Sequence, residues 1–504
     1  MRASGILLPV ASLPNKYGIG GFSKEAYEFV DFLEKAQQTY WQVLPMGPTG
    51  YGDSPYQSFS TFAGNPYFID LEELIEEGLL TAKECEKVPC GEDVNVIEYE
   101  EIYKGRFKLL RKAYARSVKS GRYEKDEAYK AFLKENAFWL DDYALFMGLK
   151  TFHKGVSFDK WPEDEKMKKP AAMKKAMADP KIEEEVAFRK FIQFLFHRQW
   201  SALKAYANSK NVKIIGDIPI YVAMDSADTW SHPELFLLDE NKTPIGVAGC
   251  PPDYFSKTGQ LWGNPLYRWA YHKETNYAWW IKRLAHCFAM YDVVRIDHFR
   301  GFDEYYHIPY GDKTAEFGHW EKGPGYDLFA TVKKELGKQS IIAEDLGLLT
   351  PSVIKLVQRC GYPGMKILEF AFDSGEENDY LTHTYGKNCI VYTGTHDNDT
   401  VCGWWSSLKN KDKIFAKTYL GVKSNKDVPT ALIGEAMKSV ADTCIIPMQD
   451  YLGLGSEARI NTPSTLGGNW AWMMKENAYT PELAEKIAKL THLYGRCPAK
   501  KDKK

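Results

Sequence analysis

Short apolar runs recur along the chain, and most close near Gly, Pro, Asp, His or Glu. They fall at residues 5–10, 40–45, 212–222, 292–297, 340–344, 365–372, 389–396 and 444–450. Near-continuous apolar runs of this length predict strands buried on both faces, as in parallel sheets. Most of the stretches between them read with a helical period, for example residues 25–35 and 352–359. Eight such strands alternating with helices predict an α/β fold, a single (β/α)8 barrel over residues 1–504.

Two spans are too long for simple crossovers. Residues 71–210 are charged and helical in period, and predict an inserted helical subdomain. Within it Phe188, Phe191, Ile192, Leu195 and Phe196 share one helix face, and residues 102–118 and 131–150 read similarly. Residues 161–180 are dense in Lys, Pro and Met and predict an exposed connection. Residues 222–276, rich in Pro, Gly and aromatics, predict a long loop insertion at the catalytic face of the barrel.

Composition narrows the partners. Hydrophobic residues at 44% are enough for a large core, and a net charge of −2 offers no field to hold nucleic acid or an anionic membrane. No 18-residue apolar run is present, so no membrane span is expected. The first apolar run is too short for a secretory signal. Nine scattered Cys without a C-x-x-C pair fit free thiols in a reducing cytoplasm. The 14 Trp and 31 Tyr fit either a big core or a surface that packs on sugar rings.

In a barrel, chemistry belongs at the C-terminal strand ends, and here those ends are acidic. The third offers Gly216-Asp217-Ile218-Pro219, the fourth Arg295-Ile296-Asp297-His298, the fifth Ala343-Glu344-Asp345 and the seventh Thr395-His396-Asp397. Carboxylates converging on one rim repel each other and call for a reason. Arg295 and Asp297 face the same way on a strand, so the guanidinium favours the ionised carboxylate. A structural ion pair would satisfy the same spacing. Glu344 and Asp345 are adjacent, so only one points into the pocket. Asp397-Asn398-Asp399 fails as a calcium loop, because Val401 and Cys402 stand where an oxygen ligand and a Gly are required. Paired carboxylates without a metal motif point to glycoside chemistry.

The segments Arg295-Ile296-Asp297-His298-Phe299-Arg300-Gly301-Phe302, Ala343-Glu344-Asp345-Leu346-Gly347 and Gly394-Thr395-His396-Asp397-Asn398-Asp399-Thr400 resemble the signatures of the amylomaltases, the 4-α-glucanotransferases of the wider α-amylase group. Asp53-Ser54-Pro55-Tyr56-Gln57-Ser58, Gly216 to Val222, Pro251 to Pro265 and Arg459-Ile460-Asn461-Thr462-Pro463 agree with it, and the likeness spans residues 4–472. The resemblance implies Asp297 as nucleophile, Glu344 as acid/base and Asp397 as transition-state stabiliser. It implies Asp217, Arg295, His396, Ser54, Asp373 and Asn461 as substrate contacts, with no required metal or cofactor. It implies a retaining transfer of α-1,4-glucan segments to the 4-OH of glucose or a maltooligosaccharide. Tyr56, Trp262, Tyr254 and Phe255 are expected to stack on the acceptor and limit attack by water. An α-amylase-like hydrolase has the same trio with water as acceptor. A non-catalytic glucan binder would need a damaged trio, whereas all three acids are present. The family often carries a basic residue after its last tryptophans; here Met473-Met474 follow Trp470-Ala471-Trp472, which is expected to alter local packing and not the chemistry. No C-terminal β-sandwich is expected.

Overall fold

A computed structural model describes residues 2–499 except Tyr51, Glu92, Val94, residues 253–255, Leu348 and Leu466. Eight parallel strands form its centre: Ala3–Leu7, Tyr40–Gln42, Lys213–Pro219, Val293–Asp297, Ile341–Ala343, Gly364–Ile367, Cys389–Tyr392 and Thr443–Pro447. Each coincides with one apolar run of the sequence. They lie in chain order around the sheet, with the eighth paired to the first, so Gly5 sits between Tyr40 and Ile445. The barrel architecture is therefore the observed one.

The seam between the fifth and sixth strands has a different chemistry. No ladder joins them, but the Ala343 N–H donates to Pro363 O at 3.0 Å. The Met365 N–H donates to Asp345 Oδ1 at 2.7 Å, so a side-chain carboxylate substitutes for a backbone acceptor. Gly364 permits this, since a Cβ there would meet Asp345 Oδ2 at 2.2 Å.

Alternation along the strands sets what faces the axis. Leu7, Ile215, Ile342, Ile390, Tyr392 and Ile445 fill the interior, while Ile6, Ile214, Val294, Ile296 and Ala343 pack outward against helices. The parity continues to the strand ends. Asp217 follows Ile215, and Glu344 follows Ile342 two residues on, so both point inward and Asp345 does not.

Helices Lys24–Lys35, Pro180–Ser209, Ala278–Met290, Tyr326–Leu336 and Pro351–Cys360 each lead into one of the second to sixth strands. Between the sixth and seventh strands the described chain holds only 3-10 turns. Residues 71–209 are largely helical, with long helices Tyr99–Ser120 and Glu127–Phe152 before Pro180–Ser209. The last begins on the Asp179 cap with Pro180 in its first turn, and its far end enters the third strand.

Two expectations need correction. Residues 161–180 are not an exposed connection throughout. They contain helices Glu163–Lys166 and Pro170–Met177, and Trp161 is only 4% exposed, packed on Phe146 and Trp230. Lys-rich composition concealed one anchoring tryptophan. Residues 222–276 are not simply a loop. Gly246–Cys250 and Gln260–Pro265 pair as antiparallel strands, joined by Glu304–Pro309 and His319–Lys322 in a four-stranded sheet. Strands of four to six residues, with the two hairpins joined only by a ladder between residues 246–248 and 307–309, leave little local period to read. All nine cysteines are free, and Cys85, Cys287, Cys389 and Cys444 are buried. Among the described residues no helix is long and apolar enough to cross a membrane.

Gly364→Ala tests the barrel seam. The added methyl displaces the Asp345 carboxylate and strands the Met365 N–H, which lowers stability by about 1–3 kcal/mol. A urea midpoint equal to the parent's would remove this role for the side-chain bridge.

Candidate active site

The third and fourth strands lie in register with Asp217 beside Arg295 and Pro219 beside Asp297. That pairing places a guanidinium among carboxylates in a region closed to water. Arg295 Nη1 meets both Asp217 oxygens at 2.8 and 2.7 Å, and Nη2 meets Asp297 Oδ1 at 3.0 Å. Its Nε faces Met365 Sδ at 3.4 Å. Arg295 is 3% exposed and Asp217 is 1% exposed. Buried charges at this depth persist only when each is paired. Asp217 has a further donor, the Tyr56 hydroxyl at 2.8 Å.

Asp297 ends the fourth strand and is half-buried. Burial raises its carboxyl to about 6; Arg295 opposes that, and the charges of Asp217 and Asp397 add to it. Just beyond, His298 adopts the left-handed conformation with φ 51° and ψ 49°. This turn aims its N–H at Glu344 Oε2, 2.6 Å away, and the Leu346 N–H donates to Glu344 Oε1 at 2.9 Å. Burial and then the Asp297 charge lift Glu344 to about 7, against Arg295 and the two amide donors. The two acids differ in their partners: Asp297 touches a cation, whereas Glu344 accepts from amide N–H groups. The Asp297 proton therefore leaves first.

Asp397 lies beyond the seventh strand, with its carboxylate held from two sides. Asn461 Nδ2 donates to Oδ1 at 2.6 Å, and His396 Nε2 lies 3.4 Å from Oδ2. Burial alone would raise Asp397, but His396, Asn461 and Arg295 hold it well below the usual carboxylate range. Burial likewise opposes the charge on His396, and Asp397 more than offsets that, so its pKa is raised. Arg459 fixes the segment, donating to the Asp397 and Asn461 carbonyls at 2.7 Å each.

Tyr56 joins the two halves of the rim. Its hydroxyl reaches Asp217, and its ring stacks on His396 with centroids 5.2 Å apart. Trp470 completes this wall, 5.8 Å from the Tyr56 ring and 5.9 Å from His396. A chain of direct contacts thus runs from Asp297 through Arg295, Asp217, Tyr56 and His396 to Asp397.

The other candidates are placed unevenly. Ser54 Oγ accepts the Tyr56 N–H at 3.3 Å and so shapes the loop. Trp262, on the antiparallel sheet, sets its ring edge-on to His298 at 4.8 Å. Asp373 is exposed and meets Asn378 Nδ2 at 3.3 Å, without a contact to the acidic cluster. Tyr254 and Phe255 lie outside the described residues. His298 and Trp470 were absent from the expected site residues. His298 was legible only as a neighbour of Asp297, since its part is played by a backbone N–H. Trp470 depends on a turn with φ 64° that sequence spacing does not announce. Met473 and Met474 are both buried, and their N–H groups donate to Asn95 O and Ser12 O. Among the described residues the one cluster of metal-type ligands is His307, His319 and Glu321, in the antiparallel sheet.

Two carboxyl groups of unequal acidity beside an ionised third, walled by aromatic rings, suit acid-assisted displacement at an acetal carbon. The sequence model of glycoside hydrolase family 77, described as 4-alpha-glucanotransferase, matches residues 8–479. A 4-alpha-glucanotransferase of Clostridium butyricum is 50% identical over 97% of this chain and 99% of its own length. That of Thermus thermophilus is 47% identical over 95% of this chain and 96% of its own. The amylomaltase of Streptococcus agalactiae in complex with acarbose superposes with a TM-score of 0.95 at 39% identity, covering 99% of this chain and 100% of that one. With its barrel, its acidic rim and these relatives taken together, the chain belongs to the 4-alpha-glucanotransferases of glycoside hydrolase family 77.

Proposed function

We propose that this enzyme transfers α-1,4-glucan segments by a two-step retaining displacement, with Asp297 as nucleophile and Glu344 as acid/base. The observation that carries the assignment is the lopsided placement of Arg295, which supports charge on Asp297 and leaves Glu344 with amide donors alone. Acarbose on the Streptococcus agalactiae relative supports a glucan-like ligand for this groove.

In the first step an Asp297 oxygen bonds to the anomeric carbon as the glycosidic C1–O4 bond breaks. The Glu344 proton passes to the departing O4, and the shortened glucan leaves with a free 4-OH. In the second step the 4-OH of glucose or a maltooligosaccharide attacks C1. Its proton returns to Glu344 and Asp297 is released as a carboxylate. Asp397 stays ionised throughout and faces the positive charge that develops at the ring. Inversion at each step restores the α-configuration. The nine free thiols fit a cytoplasmic setting.

Transfer in place of hydrolysis needs a retained sugar acceptor and a drier groove. Tyr56 and Trp262 are the described rings proposed to supply this. Replacing either with Ala shifts the product balance from transfer towards net reducing-end release. An unchanged balance in both variants would dismiss the aromatic account.

Maltotriose separates the reactions directly. Glucose together with maltopentaose and longer products is expected, whereas glucose and maltose alone would mean hydrolysis. Glu344→Gln lowers kcat by about 10²–10⁴-fold, and Asp297→Ala removes turnover while circular dichroism stays native. Full turnover in either variant would overturn these roles.

The pH profile follows from the same groups. Burial raises both carboxyls above the usual range, so activity falls on the acid side as Asp297 takes up a proton and on the alkaline side as Glu344, which lacks a cation, loses one. The outcome is a narrow bell in kcat/KM. A flat profile across this window would contradict the split.

A further inference from the structure

The antiparallel sheet beside the barrel carries a side-chain cluster that the transfer chemistry does not use. Strands Glu304–Pro309 and His319–Lys322 pair with Tyr305 opposite Glu321 and His307 opposite His319. Residues two apart on a strand share a face, so all four side chains project from the same side. Tyr306 and Trp320, the pair between them, pack on the other side with rings 5.1 Å apart.

On the shared face, His307 Nδ1 lies 2.7 Å and His319 Nε2 lies 3.1 Å from the same oxygen, Glu321 Oε1. The two imidazoles stack at 4.8 Å with 26° between their planes. One candidate donor atom from each of the three residues falls within 4.8 Å of the others. Ligand atoms of a tetrahedral zinc ion, bound at about 2.0–2.1 Å, stand about 3.3 Å apart, so small side-chain rotations suffice. The remaining Glu321 oxygen accepts the Tyr305 hydroxyl at 2.5 Å, which fixes the carboxylate as an outer partner does in metal sites. Gly246, on the adjoining strand, gives the imidazole room, since a Cβ there would meet His307 Nε2 at 2.0 Å. The His319 side chain is 58% exposed, which gives an ion access and leaves a coordination position to water.

We propose that His307, His319 and Glu321 form a binding site for one divalent transition-metal ion of the zinc class, completed by water. Two neutral imidazoles and one carboxylate match the ligand preference of such ions. Without metal, a ring N–H of each histidine can fill the gap to Glu321 Oε1; on binding, each imidazole carries its proton on the other ring nitrogen, so that the lone pairs of His307 Nδ1 and His319 Nε2 face the ion. The same sheet carries Trp262 on Gln260–Pro265, so a bound ion would tie down the hairpin two strands from that ring.

Cobalt(II) chloride titrated into the full-length enzyme tests this, read by calorimetry and by visible absorption, because thiolate and nitrogen–oxygen coordination differ in their charge-transfer bands. One ion per chain with a nitrogen–oxygen spectrum is expected in the parent. Binding should weaken at least tenfold in His319→Ala and Glu321→Gln, and about tenfold in Tyr305→Phe. The exposed position of His319 leaves the fold of its variant intact, which a metal-free melting curve checks. Stoichiometric binding that is unchanged in His319→Ala and Glu321→Gln, a thiolate spectrum, or no binding by the parent would each overturn the site.

Discussion

Arg295 lies buried between two carboxylates, and the rest of the catalytic rim is organised around that fact. A guanidinium removed from water is tolerable only when its donors are matched, and here Asp217 takes two contacts and Asp297 one. The match depends on strand register. A one-residue slip between the third and fourth strands would turn Arg295 away from Asp217 and leave charges unpaired in the interior. The arrangement that sets the electrostatics of the site therefore also holds the barrel in one alignment.

Strand alternation and one strained turn do the remaining placement. Inward parity carries Asp217 and Glu344 towards the groove and sends Asp345 to the seam, where it accepts the Met365 N–H. The left-handed His298 brings a backbone donor to Glu344 without adding a second cation. Groups mounted on strand ends hold their geometry, while the Tyr56 loop and the antiparallel sheet carry the rings. Precision in the acids and adaptability in the groove walls can then vary independently.

The barrel was legible because its strands are buried on both faces and so read as continuous apolar runs. Every one of the eight runs became a strand. Likewise Arg295 and Asp297 could be set on one side by counting, and the same rule allowed only one of Glu344 and Asp345 into the pocket, while the choice of Glu344 rested on the family resemblance. What stayed hidden depends on distant partners. The four-stranded sheet joins residues near 248 to residues near 307, and neither segment shows its pairing alone. Trp161 looked exposed because lysines surround it in sequence, although in space it meets Phe146 and Trp230. Asp373, implied by the resemblance as a substrate contact, lies exposed with Asn378 Nδ2 beside it.

The central claim is that Asp297 bonds to the sugar while Glu344 handles the proton. Fluoride leaves an anomeric carbon without protonation, so α-maltosyl fluoride should load Glu344→Gln in the first step and stall before the second. Mass spectrometry of the digested protein should then find one maltosyl unit on the peptide that contains Asp297. A sugar attached to the Asp397 peptide instead, or no attached sugar while fluoride is still released, would contradict the account.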